Sequence, residues 1–341
     1  MTTNSTNVTM ASPRSDARRA SRINPDYLSA GLLFALTVLM IACSRLISPS
    51  LGSWAQVSTV LTLGCFLLVA AFGQGLVILS GGLDLSVASL FMFGGVMSTA
   101  LIGSSNAGAW YLMPAILVGA GLIGALSGVG IAWLKIPPFI MTMGVGIIVG
   151  SIALGYTSGS TLGGSPLFLE ALMKGSLLNV PVVVLVFVAI CVVGLMLQTR
   201  TVFGRNLYAI GGSLGAARVS GISVTRTLVL TYTGSAICAA AGGALLTGYS
   251  GGATLMMGEP YLLPSIAAVV VGGSSILGGR GSFLGTIVGT LFLTTLDSVI
   301  AATGLAQGWR LIVSGLVIVV ALLCQSSSAG SLATWFSRLR R

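Results

Sequence analysis

From about residue 28 the chain is a succession of long apolar runs separated by short polar breaks. Ten runs can be marked, at about 28–47, 56–79, 86–103, 112–134, 139–157, 181–198, 227–249, 262–277, 283–301 and 310–324. A bilayer core takes ~20 apolar residues per helix, so each run predicts one transmembrane helix. The runs are continuous, whereas the strands of a membrane barrel alternate apolar and polar positions over ~10 residues. The expected fold is therefore an all-α polytopic membrane protein with about ten spans and both termini cytoplasmic. Residues 1–26 are expected to form a disordered basic tail, 27–325 the transmembrane domain, and 326–341 a second cytoplasmic tail.

The polar breaks are unequal. Thr199–Arg226 is the longest on the basic side and carries Arg200, Arg205, Arg218 and Arg226. Most bundle connections are only about 2–8 residues, so a break of this length and charge predicts structure of its own. Within it, Gly211–Ile222 reads as a short helix. Ser213 is a candidate N-cap, the Ala216-Ala217-Arg218 core favours helix, and Gly221 suits the left-handed position after a helix C-terminus. On the opposite side, 158–180 contains a short amphipathic stretch, Leu167 to Lys174, with Glu170 and Lys174 at i,i+4 spacing. A further break there, 250–261, holds Glu259.

Charge gives the runs a direction. Hydrophobic residues make up 55% of the chain and charged residues 6%, against about 25% charged in a soluble domain, which excludes an ordinary soluble protein. A net charge of +10 would suggest nucleic acid in a soluble protein; here it reports orientation, and no nucleic-acid partner is expected. With the N-terminus inside, ten spans place Arg14, Arg18, Arg19, Arg22, Lys135, Arg200, Arg205, Arg218, Arg226, Arg280, Arg338, Arg340 and Arg341 on the cytoplasmic side. Only Arg45, Lys174 and Arg310 fall outside. The five cysteines stand singly in apolar runs and there is no histidine, so neither a metal site nor a disulfide framework is expected. Glycine is abundant, 48 of 341 residues, and GxxxG spacing occurs at Gly124/Gly128, Gly146/Gly150, Gly281/Gly285 and Gly285/Gly289. Such pairs let helix backbones approach, either inside one bundle or at a dimer face.

Catalytic motifs are missing. A phosphate-cradling loop needs a lysine after glycine, and the two lysines follow Leu134 and Met173. The single GxSxG match, Gly248–Gly252, has no histidine to serve as its base. Asp84 and Asp297 lack the supporting motif of an intramembrane aspartyl protease. Asp84, in GGLDLSV, draws attention for another reason, since a carboxylate at the centre of a bilayer costs ~2.5–3.5 kcal/mol. The flanking glycines and Ser86 suggest a helix break in which Asp84 or Ser86 caps the next helix. A substrate or gating role for Asp84 stays open beside that structural one.

Ala216-Ala217-x-x-x-Gly221 resembles the core of the coupling loop of binding-protein-dependent ABC importer permeases. The glutamate of that loop's common form is Gly215 here, so its charged contact does not carry over. Three longer stretches, SGGLDLSV (80–87), GRNLYAIGGSLGAARVSGI (204–222) and SIAAVVVGGSSILGGRGSFLGTIVG (265–289), are similar to the ribose/monosaccharide branch of these permeases, and the similarity runs from about 56 to 320. The resemblance implies an inner-membrane permease subunit without cofactor or ATPase activity of its own. Cytoplasmic ATPase subunits would dock on Arg205, Ser213, Ala216, Ala217, Arg218 and Gly221. Arg280 is either a second contact or a topological anchor. A second permease copy or a paralogue would complete the path, and a soluble binding protein would meet the outer face at Glu170, Lys174 and Glu259. Candidate path residues are Gln74, Asp84, Ser86, Thr142, Tyr156 and Thr157. The solute stays open among pentoses, hexoses, polyols and furanose-like molecules, with branched-chain amino acids or nucleosides as the alternative. A secondary transporter normally carries several intramembrane carboxylates or histidines, which this chain lacks.

Overall fold

A computed structural model describes residues 25–46, 51–177 and 180–304, with 308, 309, 312, 313, 315, 316, 319 and 320 beyond them. The expected tails, and most of the expected span 310–324, lie outside the described residues. The elements are α1 (Pro25–Ser44), α2 (Trp54–Leu79), α3 (Val87–Leu101), α4 (Ala109–Ala132), α5 (Pro138–Thr157), β1 (Leu162–Gly163), α6 (Leu167–Lys174), β2 (Ser176–Leu177) and β3 (Val180–Pro181). They continue with α7 (Val182–Arg200), α8 (Val202–Gly212), α9 (Leu214–Val219), α10 (Val224–Ser250), β4 (Gly252–Ala253), α11 (Glu259–Val271) and α12 (Phe283–Ala302).

Nine of the ten apolar runs fall on helices, but they are not nine equal spans. Among the described residues, six helices are long and apolar enough to cross a membrane: α2, α4, α5, α7, α10 and α12. Ala30–Ser44, α3 and α11 are shorter. At 1.5 Å per residue, the 13 residues of α11 reach about 20 Å, less than a bilayer core of about 30 Å. The expected run 262–277 is cut at Gly272 because the next backbone, Gly273–Gly281, folds into a turn against the start of α12. Here the apolar composition of SSILGG concealed a break.

Of the three shorter helices, α3 and the second half of α11 are enclosed by protein, whereas Ala30–Ser44 is largely exposed. In α2, 89% of the spanning window is buried. It runs through the middle of the bundle with α10, α11, α12 and α7 packed around it. The lipid-facing layer is supplied by α5 and α7, whose windows are only 22% buried. Leu185, Val188, Val192 and Met196 form the outward face of α7.

Glycine sets the tightest contacts. A Cβ on Gly94 of α3 would overlap the carbonyl of Ala240 on α10, and one on Gly243 would overlap the carbonyl of Phe91 on α3. Gly124 and Gly128 of α4 lie against Tyr232 and Val229 of α10, while Gly285 and Gly289 of α12 lie against Gly272 and Ala268. These GxxxG pairs serve the interior of one bundle. Gly146/Gly150 differs, with nothing closer to its added Cβ positions than 3.3 Å.

Contacts at the helix ends follow the alternation expected from the spans. At one end the Gly279 N–H donates to the Leu79 carbonyl at 3.0 Å, and the Tyr208 hydroxyl donates to the Gly281 carbonyl at 2.7 Å. At the other end β1 pairs with β4, and the Phe168 N–H donates to Asn106 Oδ1 at 3.0 Å. Every such tie joins segments expected on the same side.

Replacing Gly94 with Ala should lower the melting temperature of the detergent-solubilised protein, an overpacking cost of about 1–3 kcal/mol. Gly144→Ala, where nothing lies within 4 Å of the added carbon, should leave it unchanged. Equal melting of the two variants would contradict the backbone contact between α3 and α10.

Candidate functional site

The basic break folds into a corner of two short helices. Thr201 caps α8 by accepting from the Gly204 N–H at 3.0 Å, and Ser213 caps α9 by accepting from Ala216 N–H at 3.3 Å. The expected cap at Ser213 and the left-handed turn at Gly221, φ +78°, are both present. The helix itself is shorter than the expected 211–222, and α8 was not foreseen. Its signal was available: Phe203, Leu207 and Ile210 recur at helical spacing behind a threonine cap. Ile210, Ala217 and Val224 form a small core that fastens α8 and α9 to the start of α10. Ala217 is thus buried, whereas Arg205, Ser213, Ala216, Arg218 and Gly221 are exposed around it. Arg280 is exposed on the neighbouring α11–α12 turn.

Next to this corner lies a buried carboxylate. Asp84, 1% exposed, sits in the turn between α2 and α3. Its Oδ1 accepts from the Ser86 backbone N–H at 2.9 Å and from Ser86 Oγ at 2.5 Å, and its Oδ2 accepts from Ser235 Oγ of α10 at 2.7 Å. Ser86 occupies the N-cap position of α3 without a side-chain capping bond. The expected helix cap is therefore replaced by a local Asp–Ser turn and a long-range tie to α10. Burial pushes the Asp84 carboxyl above the ordinary carboxylate range, and the hydrogen bonds from Ser86 and Ser235 oppose that push.

A groove of ≈ 860 Å³ opens between α3, α5, the 252–258 segment and the start of α11. Its size matches pockets for small solutes, about 300–1,000 Å³. Leu85, Ser89 and Met92 line one wall and Gly146, Gly150 and Ser151 the facing wall. Thr161, Thr254 and Glu259, in segments expected at the end opposite the basic corner, also line it. The unused glycine pair of α5 thus leaves a bare strip on that wall beside Met143, Ile147, Ser151 and Leu154.

None of the six candidate path residues lines this groove. Gln74 is fully buried in α2, and neither amide atom makes a hydrogen bond among the described residues. Asp84 and Ser86 are joined behind the wall. Thr142 accepts from Leu85 N–H at 3.0 Å and so braces the groove from the side. Thr157 bonds back to the Ala153 carbonyl, and Tyr156 is 57% exposed on another face of α5. Thr142 and Thr157 donate to carbonyls of their own helix, as buried helical hydroxyls do, so their polarity is not presented to the groove. Ser89, Ser151, Thr161 and Thr254 were missed for want of any sequence mark beyond the open GxxxG spacing.

At the far end, α6 has the expected bounds. Leu169 and Met173 bury beneath it, with Gly248 of α10 against Leu169. Glu170 accepts from Ser165 Oγ at 2.5 Å, and no ion pair to Lys174 is found among the described residues. Lys174 and Glu259 are exposed at this end and Glu170 is half-buried.

Comparison with known proteins identifies the family. A family profile described as "Branched-chain amino acid transport system / permease component" matches residues 56–322. The chain is 36% identical over 258 residues to the ribose import permease protein RbsC of Bacillus subtilis (strain 168), covering 74% of this chain and 79% of that protein. It is 31% identical over 319 residues to the galactose/methyl galactoside import permease protein MglC of Escherichia coli (strain K12), covering 88% and 95%. It is 32% identical over 283 residues to the autoinducer 2 import system permease protein LsrC of Enterobacter sp. (strain 638), covering 81% and 80%. No solved structure matches the chain.

Removing one side of the Asp84–Ser235 bond should destabilise the fold by about 1–3 kcal/mol, since the other side is left buried and unpaired. Thermal melting of Asp84→Ala, Ser235→Ala and the double variant should show a double loss smaller than the sum. Strict additivity would dissolve the tie.

Proposed function

The chain belongs to the branched-chain amino acid transport system permease component family, and on that premise we propose that it is the permease subunit of an ATP-driven ABC importer for a monosaccharide or related polyol. The observation that carries the reading is the structured basic corner at one end of a bundle whose groove is lined, toward the other end, by Thr161, Thr254 and Glu259. The chain holds no phosphate-cradling loop, so the free energy has to enter from another chain docked at a rigid surface. Arg205, Ser213, Ala216, Arg218 and Gly221, with Arg280 beside them, supply that surface, and Ala217 anchors it from beneath.

In this reading the corner faces the cytoplasm, both termini lie on that side, and ten spans place the chain in the inner membrane. A solute-loaded binding protein meets the far end at Glu170, Lys174 and Glu259, the last of which lines the groove. The groove is open along one side, and a second permease copy or a paralogue closes it into a path. ATP binding draws the ATPase subunits together, moves the corner, and tips the walls between outward and inward openings. The relatives RbsC and MglC, import permeases for ribose and for galactose/methyl galactoside, favour a sugar. The family description supports a second reading, a branched-chain amino acid, which the groove's apolar share also accommodates.

Arg218→Glu should cut uptake by about tenfold or more, equivalent to ~1.4 kcal/mol of docking or coupling free energy. A bulky residue at Gly221, whose φ is +78°, should do the same through strain, and membrane insertion should persist in both. Normal uptake by both variants would remove the docking assignment. Gly150→Trp, placed in the groove wall, should abolish uptake while the assembled complex still hydrolyses ATP. Loss of uptake on collapsing ion gradients with ATP maintained would instead favour an ion-coupled transporter.

A further inference from the structure

We propose that the connection from Leu79 to Ser86 passes movement of the basic corner to the groove walls, with Asp84 as its positioning residue. This rests on the importer reading above and adds the element through which the two ends of the chain communicate.

The corner side of the connection is a contact of bare backbones. Gly211, near the end of α8, packs so closely on the Leu79 carbonyl and on Gly279 that a Cβ would overlap both. Gly278 (φ +86°) and Gly279 (φ +71°) bring the α11–α12 turn against Gly81 and Gly211. The Gly279 N–H and Tyr208 hydroxyl bonds lock the same three segments together. With no side chain between them to change rotamer, α8 cannot shift against Leu79 without displacing it. Close-packed interiors transmit such strain rather than absorb it.

The groove side is equally direct. Leu85 lines the groove, and its N–H reaches across to Thr142 on α5, the opposite wall. Gly146, one turn along α5, lies against the Ser86 backbone. Between the two sides stands Asp84, which grips Ser86 with one oxygen and Ser235 of α10 with the other. α10 begins at the corner itself, fastened there through Val224. Movement of the corner therefore reaches the walls by two routes, through Leu79 and through α10, and Asp84 keeps the two in step. A staple needed only for folding would not have to join these particular elements.

The test uses the assembled permease–ATPase complex in lipid nanodiscs, with the native cysteines replaced and Ser89→Cys as a reporter in the groove. Its labelling by a water-soluble maleimide is measured with and without ATP and vanadate, alongside ATP turnover, so no solute needs to be known. The unaltered relay should show an ATP-dependent change in labelling rate of about fivefold or more, the scale of a modest allosteric coupling. Ser235→Ala and Thr142→Val should keep ATP turnover within about twofold yet lose most of that change, the first by removing the bond to Asp84 and the second by removing the bond from Leu85 N–H together with Thr142's own donation to the Pro138 carbonyl. Ser235→Thr, which retains the hydroxyl, should recover it. A full labelling change in both variants overturns the proposal, as does a parallel fall of turnover and labelling, which marks a purely structural role. Absence of any ATP-dependent change before the relay is altered would instead overturn the importer reading and the relay with it.

Discussion

The architecture depends on the approach of α3 to α10 at Gly94 and Gly243. In lipid the hydrophobic effect does little to bring helices together, and association rests on packing and interhelical hydrogen bonds. Backbone contact at these two glycines is the strongest form of that packing available. It draws a helix of 15 residues, too short to be comfortable alone in a bilayer, into an enclosure made by α10, α5, α4 and α11. Gly124 and Gly128 bring α4 onto α10 by the same device, nearer the start of α10.

That enclosure makes irregular backbone possible at the helix ends. Buried backbone outside helices is tolerated where protein satisfies its polar groups. The 80–86 turn meets this condition through Asp84, Ser235 and Thr142. The α11–α12 turn meets it through Leu79, through Ser275 N–H donating to the Arg280 carbonyl at 2.9 Å, and through the Tyr208 hydroxyl. The β1–β4 pair does so at the far end. A carboxylate that would be expensive in hydrocarbon is thereby held inside protein by three donors.

The sequence made the apolar runs, the alternation of ends and α6 legible, because each follows from local composition or helical periodicity. It also revealed Ser213 and Gly221, whose roles are set by residues within one turn. Length was less legible: the run through 262–277 stays apolar past Gly272, and only the close approach of Gly285 shows why the helix stops. The groove was not legible at all. Its walls come from α3, α5 and α11, brought together by contacts far apart in sequence, and its lining hydroxyls look like any others. Gln74, Thr142 and Thr157 drew attention as polar groups in spans, yet their polarity is turned into the bundle.

The groove's chemistry bears on where selectivity resides. Its walls offer scattered serine and threonine hydroxyls and a single carboxylate, Glu259, among leucine, isoleucine and methionine, with a bare glycine strip on α5. Specific recognition of a sugar requires several convergent hydrogen-bonding groups, because rejecting a near-isostere depends on leaving buried polar groups unpaired. A surface this plain discriminates weakly, and it also holds its cargo weakly. Weak holding suits a path, since a site that bound the solute tightly would have to be dismantled in every cycle before release. Under the importer reading, discrimination then belongs to the partner that delivers the solute. The chain's own specificity is mechanical: it lies in the backbone contacts at Gly211, Leu79 and Gly279 that tie the corner to the walls.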